Sequence, residues 1–585
     1  MCPHRESGRL RAGQNAGRQM DHGGREEQSN DPVFRDVGAY VSCRGYVGIP
    51  QSARHFCRES RWHRECIHTL VLDRICQGRA FFSACGPSRQ EVMLMYYPSL
   101  KEAGAIAASG AYRKIPVSRV LLSDFITPIQ ALRVLRAQSG HCFLLESAAD
   151  REGWGRYSFL GYEPTLEVTC TDGVLRLRGS RNGEERTAHP GRVLRRLLAE
   201  HRSPRVPGLP PFTGGLVGYF SYDYIKYAEP TLKLDADDQE GFHDMDLMLF
   251  EKLVVFDHFR QELVLIANAD AEDLDRSYPA ACAQLERMVQ LLRRGRPIPR
   301  QPGRMTTPIR PLFDQDAYCA MVETAKRHIR EGDIFQVVLS NRLEAGFEGS
   351  LLDTYRILRT TNPSPYMFYF TSDDIELAGA SPETLVKLED GVLHTFPLAG
   401  TRPRGKTPEE DKALEAELLC DEKELAEHNM LVDLGRNDIG KISAFGSVAV
   451  EKYLSTQRFS HVMHIGSTVR GQLRADRDAV DAVDAILPAG TLSGAPKLRA
   501  MEIINRLENN KRGVYGGAVG YLDFTGNLDT CIAIRLAFRK NGKVFIRSGA
   551  GIVADSVPEK EYQECINKAR AVVKALELAR EERDL

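Results

Sequence analysis

Hydrophobic positions along this chain follow two periods, and both become regular only after residue 94. From about Tyr112 to Ile298, short apolar or alternating runs are broken by turn residues. CFLLES at 142–147, YSFLG at 157–161, LEVTC at 166–170, LVVFD at 253–257 and GGLVGYFSYD from Gly214 read as strands. A helical period follows over 278–294. A Pro/Arg-rich stretch at 295–311 then interrupts both periods and marks the interior boundary. Beyond it, 316–331 reads as a helix, FQVVLSNRLEA at 335–345 as a strand, 409–436 as one long helix and 558–583 as a closing helix. Ser556 and Glu559 are spaced for a capping box at the start of that last helix. Strands and helices mix without a regular βαβ repeat, so the expected class is α+β.

Composition changes the picture mainly at the amino terminus. Residues 1–94 carry many Arg but no Lys, hold six of the 13 Cys, and show little periodicity. They are expected to be disordered, loosely packed, or upstream of a natural start at Met93 or Met95. A zinc site at Cys57, His63, Cys66 and His68 is the sharper alternative, with spacings that match no common finger. A net charge of -1 leaves no basic excess for neutralising phosphates, so a nucleic-acid partner is not expected. No apolar run approaches the roughly 18–20 residues of a membrane span, and MCPHRESGRLRAGQNAGR lacks a secretory core. Together with scattered, odd-numbered Cys, this predicts a cytoplasmic location without a membrane partner.

Two pairs of carboxylates stand out, Glu424/Glu427 and Glu561/Glu564. Each pair is spaced i, i+3 on a predicted helix and so lies on one face. Alone, such pairs read as solvated helix surface. Two facing pairs would make an oxygen cage for a hard cation such as Mg²⁺. Spacing does not show whether the helices face each other.

Longer segments supply a resemblance. SPETL (381–385), PLAGTRPRG (397–405), DEKELAEHNMLVDLGRNDIG (421–440), VMHIGS (462–467) and AGTLSGAPKLRAMEII (489–504) look like the chorismate-utilising synthases. So do RGVYGGAVGYLD (512–523), DTCIAIR (529–535) and SGAGIVADSVPEKEYQE (548–564), all in the family's order. LLES and GRYSFLG resemble the family's amino-terminal half. The resemblance implies a mixed or antiparallel β-sandwich flanked by helices, in two interlocking subdomains. It assigns 112–298 to the amino-terminal domain, 299–315 to a linker and 316–575 to the chorismate-binding catalytic domain, with residues 1–94 outside it.

By the same resemblance, Glu424, Glu427, Glu561 and Glu564 hold Mg²⁺, and Glu383 is the general acid for the departing ring hydroxyl. Arg535 and Lys568 hold the substrate's anionic end, while Thr491, Tyr515, Gly549, Ala550 and Gly551 complete the binding surface. Glycines there let amide N–H groups approach an anion closely. Within the family, single residues separate the chemistries. Aminodeoxychorismate synthase relatives carry a nucleophilic Lys where this chain has Ala399, and isochorismate-forming relatives carry a Lys base where it has Gln336. That combination, with His464 assisting pyruvate loss as base or orienter, implies an anthranilate synthase subunit. Such a subunit converts chorismate and ammonia to anthranilate and pyruvate, in the first committed step of tryptophan biosynthesis. No segment resembles a glutaminase, so a separate glutamine amidotransferase subunit is implied as partner. Glu146, Ser147, Asn362, Pro365, Tyr366, Met367, Phe368 and Cys531 match the family's feedback pocket for L-tryptophan. Aminodeoxychorismate synthase component I and a catalytically silent tryptophan-binding protein remain the alternatives.

Overall fold

The computed structural model describes residues 96–148, 154–458 and 462–580. The Arg/Cys-rich stretch 1–94, the zinc reading at Cys57, His63, Cys66 and His68, the start at Met93 or Met95 and the helix end at 581–583 lie outside the described residues. Among those residues the strands form two sheets, and every pairing between named strands is antiparallel. The fold is α+β, as the mixed periods predict.

Each sheet is assembled from both sides of the Pro/Arg-rich stretch. In the first, Lys114–Leu122, Glu262–Asp270, Lys252–Asp257, Tyr157–Tyr162 and Cys142–Glu146 run edge to middle. Tyr366–Thr371, Glu376–Ser381, Leu536–Lys540, Lys543–Ile552 and Gln336–Glu348 continue the order. The seam is the pairing of Cys142–Glu146 with Tyr366–Thr371, registered Glu146 to Met367 and Cys142 to Thr371. In the second sheet the later half contributes Leu398–Pro403 through Ala518–Asp523, and the earlier half joins at Gly215–Phe220, registered Ala518 to Phe220. All six residues of Gly215–Phe220 are buried.

The two sheets face each other across an aromatic core. Phe143, Phe368, Phe538 and Phe545 from the first meet Tyr219, Met248, Phe250 and Val519 from the second. Burying each such side chain contributes about 1.5–3 kcal/mol before its ordering entropy. Helices Pro128–Arg136, Leu274–Arg294 and Leu352–Thr361 cover the outer face of the first sheet. Helices Gly191–Glu200 and Ala479–Ile486 and the later part of Glu422–Gly440 cover the second. Among the described residues no helix is long and apolar enough to cross a membrane.

The long helix expected over 409–436 is two helices, Pro408–Cys420 and Glu422–Gly440. Asp421 leaves the helical region, and its carboxylate accepts from Lys423 N at 3.1 Å and Glu424 N at 3.2 Å. A charged Glu/Lys-rich run has uniform helix propensity, so a capping Asp within it leaves no break in the period. At the last helix, the Ser556 hydroxyl accepts from Val553 N at 3.1 Å and engages Glu561, rather than forming the expected box with Glu559.

Candidate active site

Two short turns that carry the chain from one sheet to the other lie side by side. The first links Glu376–Ser381 of the first sheet to Thr384–Glu389 of the second and carries Glu383. The second links Leu528–Ile532 to Leu536–Lys540 in the opposite sense and carries Arg535, held in the left-handed region at φ 51°. They are bonded together: Ile532 N donates to Glu383 O at 3.0 Å and Ala380 N to Arg535 O at 3.1 Å. Thr491 Oγ1 donates to Glu383 Oε1 at 3.2 Å. Burial pushes the Glu383 carboxyl up to about 7, against the opposing pull of Thr491, Arg535 and Lys568. A carboxyl poised there is an acid at neutral pH.

Strand Lys543–Ile552 forms one wall, with Gly549 opposite Ser340 and Gly551 opposite Val338. A Cβ at Gly549 would stand 2.7 Å from Leu339 O and 3.1 Å from the Tyr515 hydroxyl, and one at Gly551 would stand 2.7 Å from Gln336 Nε2. Tyr515 and Gln336, both buried, therefore reach this strand only because glycines occupy it. Ala550 faces the opposite side, in the apolar layer under helices Gln315–Arg330 and Lys497–Glu508. Lys568 Nζ donates to Gly549 O at 3.1 Å and pairs with Glu564 at 2.8 Å, linking the wall to the closing helix. Beneath Tyr515 lies a network that motif reasoning missed. The fully buried Glu508 pairs with Arg512 at 2.6 Å and Arg547 at 2.8 Å, and the Arg512 guanidinium stacks on Tyr222.

His464 comes from strand Val462–Gln472. Its Nδ1 lies 2.8 Å from Gly400 O and 3.1 Å from Thr401 Oγ1. A carbonyl acceptor places the proton on Nδ1 and makes Nε2 the basic nitrogen. Burial, reinforced by Arg535, lowers the imidazole's proton affinity, so the ring is neutral near pH 7. Gly400 sits at φ 66°, where the register of Leu398–Pro403 shifts between Ala399 and Arg402, and this turns its carbonyl toward the ring. A Cβ at Gly400 would stand 3.3 Å from Glu424 Oε2, so Glu424 and His464 both converge on this glycine.

The predicted cation face is partly assembled. Burial and the adjacent Glu427 push Glu424 up; burial and Glu564 push Glu561 up, opposed by Ser556 and by Lys423. Lys423, beside Glu424, acts electrostatically on Glu561, so the acidic ends of the two helices lie within electrostatic reach of each other. Among the described residues, the four glutamates do not bring three ligand atoms within 4.8 Å of one another. Arg402 lies 3.7 Å from Glu424 and Lys568 holds Glu564. An all-oxygen donor set, repelling within each pair and exposed only at Glu564, fits a hard dication.

Residues 140–574 match the chorismate binding enzyme family. Anthranilate synthase component 1 of Acetivibrio thermocellus is 44% identical over 497 residues, 83% of this chain and 100% of that protein.

The chain belongs to the chorismate-binding enzyme family, among the anthranilate synthase component 1 proteins.

The protein of that name from Pseudomonas aeruginosa is 46% identical over 483 residues, 81% of this chain and 97% of its own. Anthranilate synthase component I of Streptococcus pneumoniae has the same fold, with a TM-score of 0.65, 42% identity and coverage of 71% of this chain and 92% of that one. The menaquinone-specific isochorismate synthase of Escherichia coli, at 21% identity and TM-score 0.59, shares the fold.

A second cavity lies at the seam. A cavity of about 380 Å³ is lined by Glu146, Ser147, Pro365, Tyr366, Met367, Phe368 and Cys531, seven of the eight residues expected there. The eighth, Asn362, ends helix Leu352–Thr361 and is not among the lining residues. The Glu146 carboxylate accepts from Tyr355 at 2.5 Å and Ser158 at 3.2 Å and pairs with Arg359. Sequence reasoning missed Asp529, within the DTCIAIR segment. It lines the cavity, accepts from the Tyr366 hydroxyl at 2.8 Å and is pushed up to about 6 by burial.

Proposed function

We propose that this chain is the Mg²⁺-dependent synthase subunit of an anthranilate synthase, inhibited by tryptophan and fed ammonia by a glutamine amidotransferase partner. The observation that carries the reading is the largely enclosed Glu383 carboxyl, poised near 7 beside Arg535 and Thr491. Ammonia attacks C2 of chorismate while Glu383 protonates the C4 hydroxyl, which leaves as water. Loss of the C2 proton and of the enolpyruvyl group as pyruvate then gives anthranilate. Neutral His464, with Nε2 basic, takes or orients for that proton. Free ammonia is itself nucleophilic, so Gln336, which has no useful basicity, suffices where water attack would need a base. Ala399, beside Gly400, offers no nucleophile to the ring. Arg535 and Lys568 hold the substrate's carboxylates. Glu424, Glu427, Glu561 and Glu564 would hold Mg²⁺, which neutralises substrate carboxylate charge when bound.

The glutamates' all-oxygen face and the seven-residue cavity support the metal and tryptophan parts. One assay tests the synthase chemistry and the inhibition: the purified chain with chorismate, Mg²⁺ and ammonium at alkaline pH, with and without tryptophan, following anthranilate fluorescence and pyruvate. Equimolar products, abolished by chelator, are expected. Chorismate consumed without pyruvate would instead identify an aminodeoxychorismate or aminodeoxyisochorismate synthase, and no consumption would leave a silent binding protein.

A further inference from the structure

Opposite the cavity end of seam strand Cys142–Glu146, the chain gathers carboxylates around a histidine that the reaction does not use. His141 directly precedes that strand. Its Nε2 lies 3.2 Å from Asp373 Oδ1 and 3.6 Å from Glu167 Oε1. Asp373 follows strand Tyr366–Thr371 of the first sheet, and Glu167 lies on Leu166–Thr171 of the second. Thr169 pairs with Asp246 on the neighbouring strand, so Glu167 and Asp246 project from the same sheet face. Asp246 is wholly buried. One oxygen accepts from Ser372 at 2.8 Å, and the other, Oδ1, has no hydrogen-bond partner.

We propose that His141, Glu167 and Asp373, backed by Asp246, form a binding site for a divalent transition ion, Zn²⁺ foremost. Ligand atoms about 2.1 Å from one tetrahedral ion stand about 3.4 Å apart, and the two measured separations bracket that value. One imidazole nitrogen among carboxylate oxygens suits zinc or manganese better than the all-oxygen preference of magnesium or calcium. The arrangement is built rather than incidental. Glu167 and Asp246 are both buried, and an unpaired buried carboxylate oxygen is unfavourable unless a cation compensates it.

The surrounding cations are engaged on the far side. Arg178 stands 3.5 Å from the other oxygen of Asp373, while Lys540 pairs with the neighbouring Asp374, as does His243 at 3.5 Å. Burial, then the Glu167 charge, push Asp246 up to about 8, opposed by the Ser372 hydrogen bond and by His141. The second cluster of this kind, His328, Glu331 and Asp333, lacks any buried carboxylate. A bound ion would pin the second sheet to the seam strand whose other end lines the cavity.

The test counts metal in the full chain after chelation and dialysis against limiting Zn²⁺, with excess Mg²⁺ to occupy the catalytic carboxylates. His141→Ala and Asp373→Asn are compared with the parent. Asp373 is exposed, so its substitution leaves folding intact. Because thiols elsewhere in the chain are common to all three proteins, the difference reads this site alone. One fewer bound zinc in each variant is expected, together with at least about tenfold weaker zinc binding and loss of the zinc-dependent rise in melting temperature. Equal zinc in all three proteins, with only stability changed, would show an ion pair between His141 and its carboxylates and overturn the proposal.

Discussion

Glu383 shows how one largely enclosed carboxyl ties activity to stability. Its upward shift to about 7 means that the acid form declines as pH rises through 7, so turnover referred to free amine concentration should fall above that value. Glu383→Gln keeps the shape but cannot donate a proton, and turnover should drop about 10²–10⁴-fold. The stability effect has the opposite sign. Because the folded-state value is raised, the contribution of this group is fully present below its ordinary value of 4.5 and is lost as pH rises through about 7. Glu383→Gln escapes that loss, so it should melt higher than the parent at pH 8 and no higher at pH 4.5. Melting curves at both pH values, with a pH–rate profile of the parent, check the two signs together. An unshifted profile would show that another group supplies the proton.

Among the elements, the seam strand Cys142–Glu146 carries the most consequence. Its residues are apolar and buried at the start, while Glu146 at its end opens onto the cavity beside Met367. Polar and thioether contacts there should discriminate an aromatic amino acid. Ser147→Ala and Met367→Thr should each weaken tryptophan inhibition about tenfold or more, a change of about 1.4 kcal/mol, with turnover within about twofold. Inhibition titrations at fixed chorismate measure this, and unchanged inhibition would place the effector elsewhere. Arg359, paired with Glu146, has to share that carboxylate with an incoming ammonium. The strand's short apolar run announced it in sequence, but the arginine comes from helix Leu352–Thr361, more than 200 residues away, where nothing local distinguishes it from a solvated side chain.

For the whole molecule, the division of both sheets between the two halves has a mechanical consequence. Neither half owns a complete sheet, and each would expose a buried edge, Cys142–Glu146 and Gly215–Phe220 in one and their partners in the other. Unpaired buried edges are aggregation surfaces. Residues 96–298 and 299–580 expressed separately should therefore be insoluble or unfolded by circular dichroism, and the intact chain should lose both sheets in one transition. A soluble, cooperatively folding half would contradict this.

Local physics was legible in the chain itself. Period and turn chemistry placed strands such as Tyr157–Tyr162 and helices such as Gln315–Arg330 within a few residues, because side-chain alternation is dictated by which face meets the core. Motif order carried the family, and with it the roles proposed for Glu383, His464 and the four glutamates. What the chain alone left undecided was juxtaposition: the crossing turns that set Arg535 beside Glu383, the nearness of Lys423 to Glu561, the break at Asp421, and the gathering of His141, Glu167, Asp246 and Asp373 from both sheets. Those pairings span tens to hundreds of residues, and only the packing of the two sheets brings the groups within reach of one another, where burial then sets their charge.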